Sequence, residues 1–360
     1  MTGYQEIVDA EYELVNEALE EYLDSRIEEV SRLGDVHRKY YGHVKEYMMR
    51  GGKRLRPILV STGYKAIKER NEVENLYLAA CSVEFLHNGS LLHDDLIDND
   101  ETRRGGPTFH SLYRDWYKNK VKDIEKKAQH FGMTMAIIGG DSLLNIGAQT
   151  ITAANLPSEV STKCLHYYQT AYQGLVDGVL LEMHMVGSHN PSPETYLEMI
   201  RLKTAILFEN SLLIGAAIAG ATDSQMNALS EFGVRVGQAF QIQDDILGSF
   251  GDEEVTGKPT EGDIREGKRT MLVLEAFRRA EPDTRERLEE LLGTPDMSSE
   301  EVQEVKDIFV DTGALEAAKV RMNELLDSGQ DALDSATPAF DKDYKNFFIE
   351  LSEFLVQRRY

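Results

Sequence analysis

Three clusters of residues carry the chemistry this sequence can do. The first runs from His87 to Asp98 and holds Asp94, Asp95 and Asp98, followed by Asp100, Glu101, Arg103 and Arg104. Asp94 and Asp98 are four residues apart, so on a helix their carboxylates leave one face with Cβ atoms about 5–6 Å apart. Like charges at that spacing destabilise a bare helix by about 0.2–0.5 kcal/mol per pair. Divalent cations offset such repulsion, and oxygen-only ligation suits Mg²⁺ better than zinc. Without a cation the cluster reads as a solvated acidic helix end. Apolar Val83, Leu86, Leu91 and Leu92 just upstream mark instead a helix that enters a core.

The second cluster, Asp244 and Asp245, also closes an apolar segment and precedes a glycine-containing stretch with Lys258, Lys268 and Arg269. Two acidic helix ends, each followed by basic residues, suit metal ions that bridge a phosphorylated ligand while Lys and Arg complete its coordination. The third is Gly51-Gly-Lys-Arg-Leu-Arg-Pro57. Its glycines let backbone approach an anion, and Lys53, Arg54 and Arg56 supply charge. It lacks the spacing of a nucleotide P-loop, so ATP or GTP is not implied. Alone, it is an ordinary basic loop; in a chain of net charge −23 it is a distinct basic island.

The elements that hold these clusters are helical. Val15, Leu19, Leu23 and Ile27 recur every fourth residue, and Gly34 breaks that segment before a helix from Val36 to Arg50. Pro57 suits the first turn of a helix running to Ile67, because its missing N–H would have no intrahelical partner there. Further helices are expected over Val73–Ile97, Phe131–Ala148 (central, apolar on most sides), Val160–Val186, from Pro193 with Ser192 as cap, and Leu202–Gly220. Gly215, Ala216, Ala217, Ala219 and Gly220 in the last imply close packing or a ligand passage, since each helical glycine costs roughly 1 kcal/mol relative to alanine. Gly105–Pro107 reads as an irregular loop. Ser298 and Glu301 match a capping box, and Phe347, Phe348, Leu351, Phe354 and Leu355 mark a final amphipathic helix. No alternating strand series and no linker interrupts 360 residues, so one all-α domain is expected over 1–360, with 1–35 as an N-terminal helical region and 276–360 as C-terminal helices.

A chain of this length buries roughly 75% of its unfolded surface and needs no disulfide staple. Cys81 and Cys164 make neither a disulfide framework nor a zinc cluster, which fits a reducing, cytoplasmic setting. The acidic surface argues against nucleic acid and acidic lipid. No secretory pattern opens the chain. The longest apolar stretch, Leu212–Ala221, is about ten residues and too short for a membrane span.

Taken together, Gly51–Pro57, His87, Asp94-Asp-Leu-Ile-Asp98, Arg103-Arg-Gly105, Lys203-Thr204, Gln241 and Asp244-Asp245 resemble the trans-isoprenyl diphosphate synthases, the polyprenyl synthetase family, and geranylgeranyl diphosphate synthases within it. The resemblance spans Gly51 to Thr270. It implies an isoprenoid synthase fold, a single large helical bundle around a central cavity, usually as a homodimer. It implies Asp94 and Asp98 as ligands of two Mg²⁺ ions on an allylic diphosphate, with Asp95 orienting them. Asp244 would bind a third ion, supported by Asp245. Arg103, Lys203 and Lys258 would grip the allylic diphosphate. Lys53, Arg54, His87 and Arg104 would hold isopentenyl diphosphate.

The resemblance further implies a head-to-tail condensation. The allylic C–O bond ionises, the C=C bond of isopentenyl diphosphate attacks the cation, and proton loss, to the released diphosphate, restores an alkene. The Thr204 hydroxyl, the Lys203 carbonyl and the Gln241 side-chain oxygen would steady the cation, inside an apolar wall that excludes water. Gly89 and Ser90, one turn before Asp94, resemble an open floor, and Phe85 and Leu86, another turn deeper, would stop the growing chain. The 5.4 Å helical pitch matches roughly one isoprene unit, which points to geranylgeranyl diphosphate; farnesyl and longer products stay open. Peripheral membrane contact for product release is compatible with this chemistry.

Two departures stand out. The second motif ends at Gly248 where the family has Asp, leaving that role to water or to Asp252; and Gln173-Gly-Leu-Val-Asp177 inverts the family's Gly-Gln pair. Three rivals compete. A His-Asp metal phosphohydrolase, from His93-Asp94, leaves the other two clusters without a role. A terpene cyclase leaves Lys53, Arg54 and His87 without a second diphosphate. A non-catalytic partner subunit is motivated by Gly248 and opposed by the intact Asp pairs.

Overall fold

Apolar residues at three- and four-residue spacing fold the chain into helices throughout, as the computed structural model shows for residues 3–68, 75–121, 125–186, 191–251, 261–294 and 296–356. The chain divides into two compact units, residues 1–168 with 213–220, and residues 169–212 with 221–360.

The first unit contains α1 (Tyr4–Ser31), α2 (Asp35–Met49), α3 (Leu55–Lys65), α4 (Leu76–Ile97), α5 (Phe109–Val121) and α6 (Glu125–Ala153). The start of α7 (Ser158–Val186) and the end of α9 (Ile206–Ala219) also belong to it. Val15, Leu19 and Leu23 are fully buried along α1, but Ile27 is only half-buried and Val30 takes the next core position. Its packing on α3 and α4 is fixed by buried Glu11, whose carboxylate takes Lys65 Nζ at 2.5 Å and the Tyr77 hydroxyl at 3.1 Å. The tight contact expected near Gly215 is present: a Cβ there would lie 1.9 Å from the Val60 carbonyl oxygen on α3. α4 lies along α6, which is longer than expected and not buried all round, since Ile137 and Ile138 are 44% and 50% exposed. Gly105–Pro107 is no irregular loop: Thr102–Arg103 and Gly106–Pro107 pair as a two-residue antiparallel hairpin.

The second unit contains the rest of α7, α8 (Pro193–Ile200), a π-helical turn (Arg201–Ala205), the first half of α9 and α10 (Asp223–Phe250). It continues through short helices at Gly262–Arg265, Met271–Arg279, Pro282–Leu291 and Ser299–Asp311, then Ala314–Ala332 and Lys342–Val356. Ser192 caps α8, its hydroxyl accepting the Thr195 N–H at 3.2 Å, and Ser298 and Glu301 exchange bonds of 3.2 and 2.8 Å as a capping box. Each such cap is worth about 1 kcal/mol. The expected helix from Pro193 is α8, the one expected from Leu202 follows it through the π turn as α9, and Gly220 lies outside α9, in left-handed backbone (φ 76°) that ends it. Along the last helix Phe347, Phe348, Leu351 and Leu355 are buried while Phe354 faces out. Among the described residues only Pro193–Ala219 is long and apolar enough to cross a membrane, and 72% of that window is buried in the protein.

Candidate active site

Asp94 and Asp98 end α4 as expected, the Asp98 N–H donating to the Asp94 carbonyl at 2.8 Å. Asp94 is half-buried and Asp98 exposed. Carboxylates at a helix C-terminus oppose the macrodipole, a cost of about 0.3–1 kcal/mol each that a cation removes. Asp95, 100° further round the helix, points inward and is fully buried. The Tyr47 hydroxyl donates to it at 3.1 Å and Arg103 Nε donates to its other oxygen. Burial holds the Asp95 carboxyl above its ordinary range, against the pull of Arg103.

The hairpin turns Arg104 back onto the glycine loop. Arg104 Nη1 donates to the Gly51 carbonyl at 3.0 Å and to Asn88 Oδ1 at 3.3 Å. Its guanidinium carbon would sit 3.1 Å from a Cβ at Gly52, whose φ of 118° already disfavours a side chain. Half-buried His87 lies in the field of four arginines; burial first, then Arg56, Arg104, Arg103 and Arg54 in that order, hold its imidazole well below the usual value and neutral. Lys53 is exposed beside this island.

Arg54, expected among the anion-facing residues, has its side chain engaged inside the protein. It is 2% exposed, and its guanidinium donates to Glu84 Oε1 (2.7 Å), Asn16 Oδ1 (2.9 Å) and the Met48 carbonyl (2.7 Å). Glu84 Oε1 also accepts Asn88 Nδ2 at 3.0 Å, so buried Arg54, Glu84 and Asn88 form one chain of bonds that exposed Arg104 joins through Asn88 Oδ1. Among the arginines, Arg56, which the sequence offered only as one of the loop's positive charges, acts most strongly on His87. Glu84 and Asn88 had no sequence signal beyond being polar residues inside an apolar run.

Of the chain-length residues, Phe85 packs edge-on against Tyr22 of α1 (5.5 Å between ring centres), Leu86 is fully buried, and the Ser90 hydroxyl bonds back to the His87 carbonyl at 2.8 Å. Gly89 provides no open floor. A Cβ there would meet the Gly140 carbonyl at 3.1 Å and Leu143 and Leu144 at 3.2 Å, so its small size serves the α4–α6 contact.

In the second unit Thr204, Gln241 and Asp245 are linked as a relay. The Thr204 hydroxyl donates to Gln241 Oε1 at 2.8 Å, and Gln241 Nε2 donates to Asp245 Oδ1 at 2.9 Å. The Tyr196 hydroxyl donates to the other Asp245 oxygen at 2.6 Å. Asp245 is 7% exposed, and its pKa is pushed up to about 7, by burial first and then by the charge of Asp263. Lys203 pairs with Glu182 of α7. Lys203 and Thr204 lie on the π turn, a geometry that leaves the regular backbone ladder and gathers at functional sites. Glycines on both sides admit it: a Cβ at Gly178 would be 2.5 Å from the Lys203 nitrogen, and one at Gly237 2.5 Å from the Ala205 Cα. Gln173 Nε2 and Asp177 Oδ1 simply bond each other at 3.1 Å along α7. Lys258 and Asp252 lie outside the described residues.

Among the described residues no three His, Cys, Asp or Glu side chains converge as a cage. Mg²⁺ fits such a donor set, because it is ordinarily bound by one or two carboxylates with water and phosphate oxygens completing the octahedron.

A sequence model of the family described as Polyprenyl synthetase matches residues 38–309. The chain is 33% identical over 333 residues to the short chain isoprenyl diphosphate synthase of Methanocaldococcus jannaschii, covering 92% of this chain and 93% of that one. It is 32% identical to the geranylgeranyl diphosphate synthase of Sulfolobus acidocaldarius, over 99% and 98% of the two chains. Its fold matches the geranylgeranyl pyrophosphate synthase of Corynebacterium glutamicum, solved with isoprenyl diphosphate and magnesium, with a TM-score of 0.88 at 30% identity over 96% of this chain and 98% of that one. The chain therefore belongs to the polyprenyl synthetase family, and it is a trans-prenyltransferase that condenses isopentenyl diphosphate with an allylic diphosphate.

Proposed function

We propose that the protein makes geranylgeranyl diphosphate as a cytoplasmic homodimer that needs Mg²⁺. Asp94 and Asp98 are the direct ligands of two ions on the allylic diphosphate, and Asp244 is a ligand of a third. Asp95 and Asp245 orient these positions from within. Arg103 and Lys203 bind the allylic diphosphate in competition with their carboxylate partners Asp95 and Glu182, and Lys258 completes the grip. Lys53, Arg56, His87 and Arg104 hold isopentenyl diphosphate, with Arg56 in the place first given to Arg54.

Bound Mg²⁺ supplies electrostatic stabilisation of the diphosphate as its charge grows. The chain's own groups do the rest. The Thr204 hydroxyl and the Lys203 carbonyl lie on one π turn, and Gln241 Oε1 is fixed by Thr204 on one side and, through its amide, by Asp245 on the other. These oxygens are preorganised to steady an allylic cation at no reorganisation cost. Neutral His87 donates a hydrogen bond to an anion without holding a fixed charge there.

One observation supports the synthase reading over the cyclase and the inactive subunit: Arg104 folds back on the Gly51 carbonyl and its charge acts on His87, an arrangement suited to a second anion that a cyclase would not use. Purified protein with Mg²⁺, isopentenyl diphosphate and allylic starters of five, ten and fifteen carbons tests it. A twenty-carbon product is expected, and no elongation from any starter would reject autonomous synthesis. For chain length, Leu86→Ala should lengthen the main product by one isoprene unit; an unchanged product places the stop elsewhere.

A further inference from the structure

The second unit carries a cavity that the synthase chemistry does not use. Its volume is about 420 Å³, within the range of small-molecule sites, and it lies between α8, α10 and the Ala314–Ala332 helix. Gln238 of α10, 4% exposed, lines it. Its Nε2 donates to the Leu197 carbonyl at 2.9 Å, which fixes which way the amide faces, since a carbonyl only accepts. The buried Oε1 accepts no bond among the described residues. A buried acceptor left so is costly, and only a hydrogen-bond donor relieves it. That excludes a diphosphate, whose ionised oxygens accept. The wall has the same preference. Two bonds, at 2.7 and 2.8 Å, hold Arg201 to Glu198, and one of 2.6 Å holds Arg235 to Glu231, so each guanidinium is already matched. Glu194 adds a third carboxylate, kept below its ordinary range by the Ser192 hydroxyl first and more weakly by Arg278 and Arg321, which pair with Glu275 and Glu324. Two cations against three anions leave one negative charge over, and Leu197, Val234 and Leu325 supply the apolar remainder.

We propose that this cavity is a second ligand site, taking a protonated primary amine on a short alkyl chain, and that its occupant bears on the π turn. The ammonium donates to Gln238 Oε1 and balances the excess carboxylate, while the alkyl chain lies on Leu197 and Val234. The route to the turn is short. Arg201 is the first residue of the turn that carries Lys203 and Thr204, and Leu197, which Gln238 holds, lies in the last turn of α8 before it. An ammonium beside Glu198 competes with Arg201 for that carboxylate and resets the start of the turn. This second part rests on Lys203 and Thr204 as catalytic groups; the binding site itself does not.

Calorimetry of the full chain with 1,4-diaminobutane, at constant ionic strength and without substrates, tests the site. One saturating molecule per chain is expected. Gln238→Met keeps the length of the side chain without the acceptor and should weaken binding roughly 10–150-fold, the worth of a hydrogen bond to a charged group. Val234→Trp fills the cavity from its half-buried wall and should abolish binding; unfolding midpoints confirm that both variants are folded. Tetramethylammonium has the charge without an N–H and should bind at least roughly 10-fold more weakly than the diamine. No saturable uptake by the parent leaves Gln238 Oε1 to water and overturns the site. Equal uptake by parent and both variants, or tetramethylammonium as good as the diamine, also overturns it. For the turn, saturating diamine should change kcat of elongation in the parent and not in Val234→Trp; a parent kcat that does not respond overturns that part. A parent that elongates no starter fails the catalytic reading instead, and the calorimetry still decides the site.

Discussion

Arg54 and Arg56 lie two residues apart at the start of α3, the first buried against Glu84 and the second half-buried. Arg54 and Glu84 are 1% and 3% exposed at their side chains and 2.7 Å apart. Removing one partner leaves the other buried and uncompensated, at a cost of about 3–5 kcal/mol. For a chain of this size each kcal/mol moves the midpoint by about 2 °C, so Arg54→Ala should unfold roughly 6–10 °C earlier than the parent. Arg56 instead leads the four arginines acting on His87. Its loss removes a charge-assisted bond to the diphosphate, about 1.5–3 kcal/mol, or roughly a 10–150-fold rise in KM for isopentenyl diphosphate with the midpoint little changed. Differential scanning fluorimetry and initial rates at varied isopentenyl diphosphate measure both. Arg54→Ala with an unshifted midpoint and a raised KM would refute the assignment and return Arg54 to the substrate pocket.

Other perturbations separate the remaining roles. Asp94→Ala/Asp98→Ala should cut turnover by roughly 10²–10³, the scale of losing transition-state charge stabilisation, and raise stability slightly by relieving like-charge repulsion; full activity would end the metal assignment. Gly178→Ala puts a methyl 2.5 Å from the Lys203 nitrogen and should cost about 1–3 kcal/mol by overpacking; kcat should fall with the KM for isopentenyl diphosphate unchanged, and an unaltered kcat would free the π turn from any role. His87 is held neutral in the folded chain, whereas the unfolded chain binds its proton below about pH 6.5. Stability should therefore fall as pH drops from 7.5 to 5, and His87→Gln should flatten that component of the midpoint-against-pH curve; an identical slope in both proteins would contradict it.

The helices were legible because their apolar residues repeat at helical spacing, and the caps at Ser192 and Ser298 because such hydroxyls have a local job. What stayed hidden depends on partners distant in sequence. The α6 contact that makes Gly89 small, the Val60 carbonyl against Gly215, and the Gly178 and Gly237 clamps on the π turn all look like plain glycines until a second backbone is brought beside them. The two-residue hairpin at Thr102–Pro107 is too short for alternation to register. Charge misled most in the glycine loop, where a buried arginine and a half-buried one have the same letter. Only the Glu84 carboxylate, thirty positions on, tells them apart.

The two Asp pairs show why a doubled acid is needed at all. Adjacent helical residues differ by about 100° in direction, so Asp94 and Asp95 cannot share a face, nor can Asp244 and Asp245. In each pair the second residue turns inward, and each inward carboxylate is met by a tyrosine from another helix: Tyr47 on Asp95 at 3.1 Å and Tyr196 on Asp245 at 2.6 Å. Each also holds a residue with an expected role outside itself, Arg103 in the first unit and Gln241 in the second. The inward acids thus fix the geometry of their neighbours, and the proposed metal ligands are the first acid of each pair. Tyr47→Phe and Tyr196→Phe each strip one bond from a buried carboxylate, a loss of about 1.5–3 kcal/mol for a charged acceptor. If the inward acids only filled space, those variants would lose stability alone. If they position Arg103 and Gln241, Tyr47→Phe raises the KM of the allylic diphosphate and Tyr196→Phe lowers kcat, and steady-state kinetics on the two variants decides between the two.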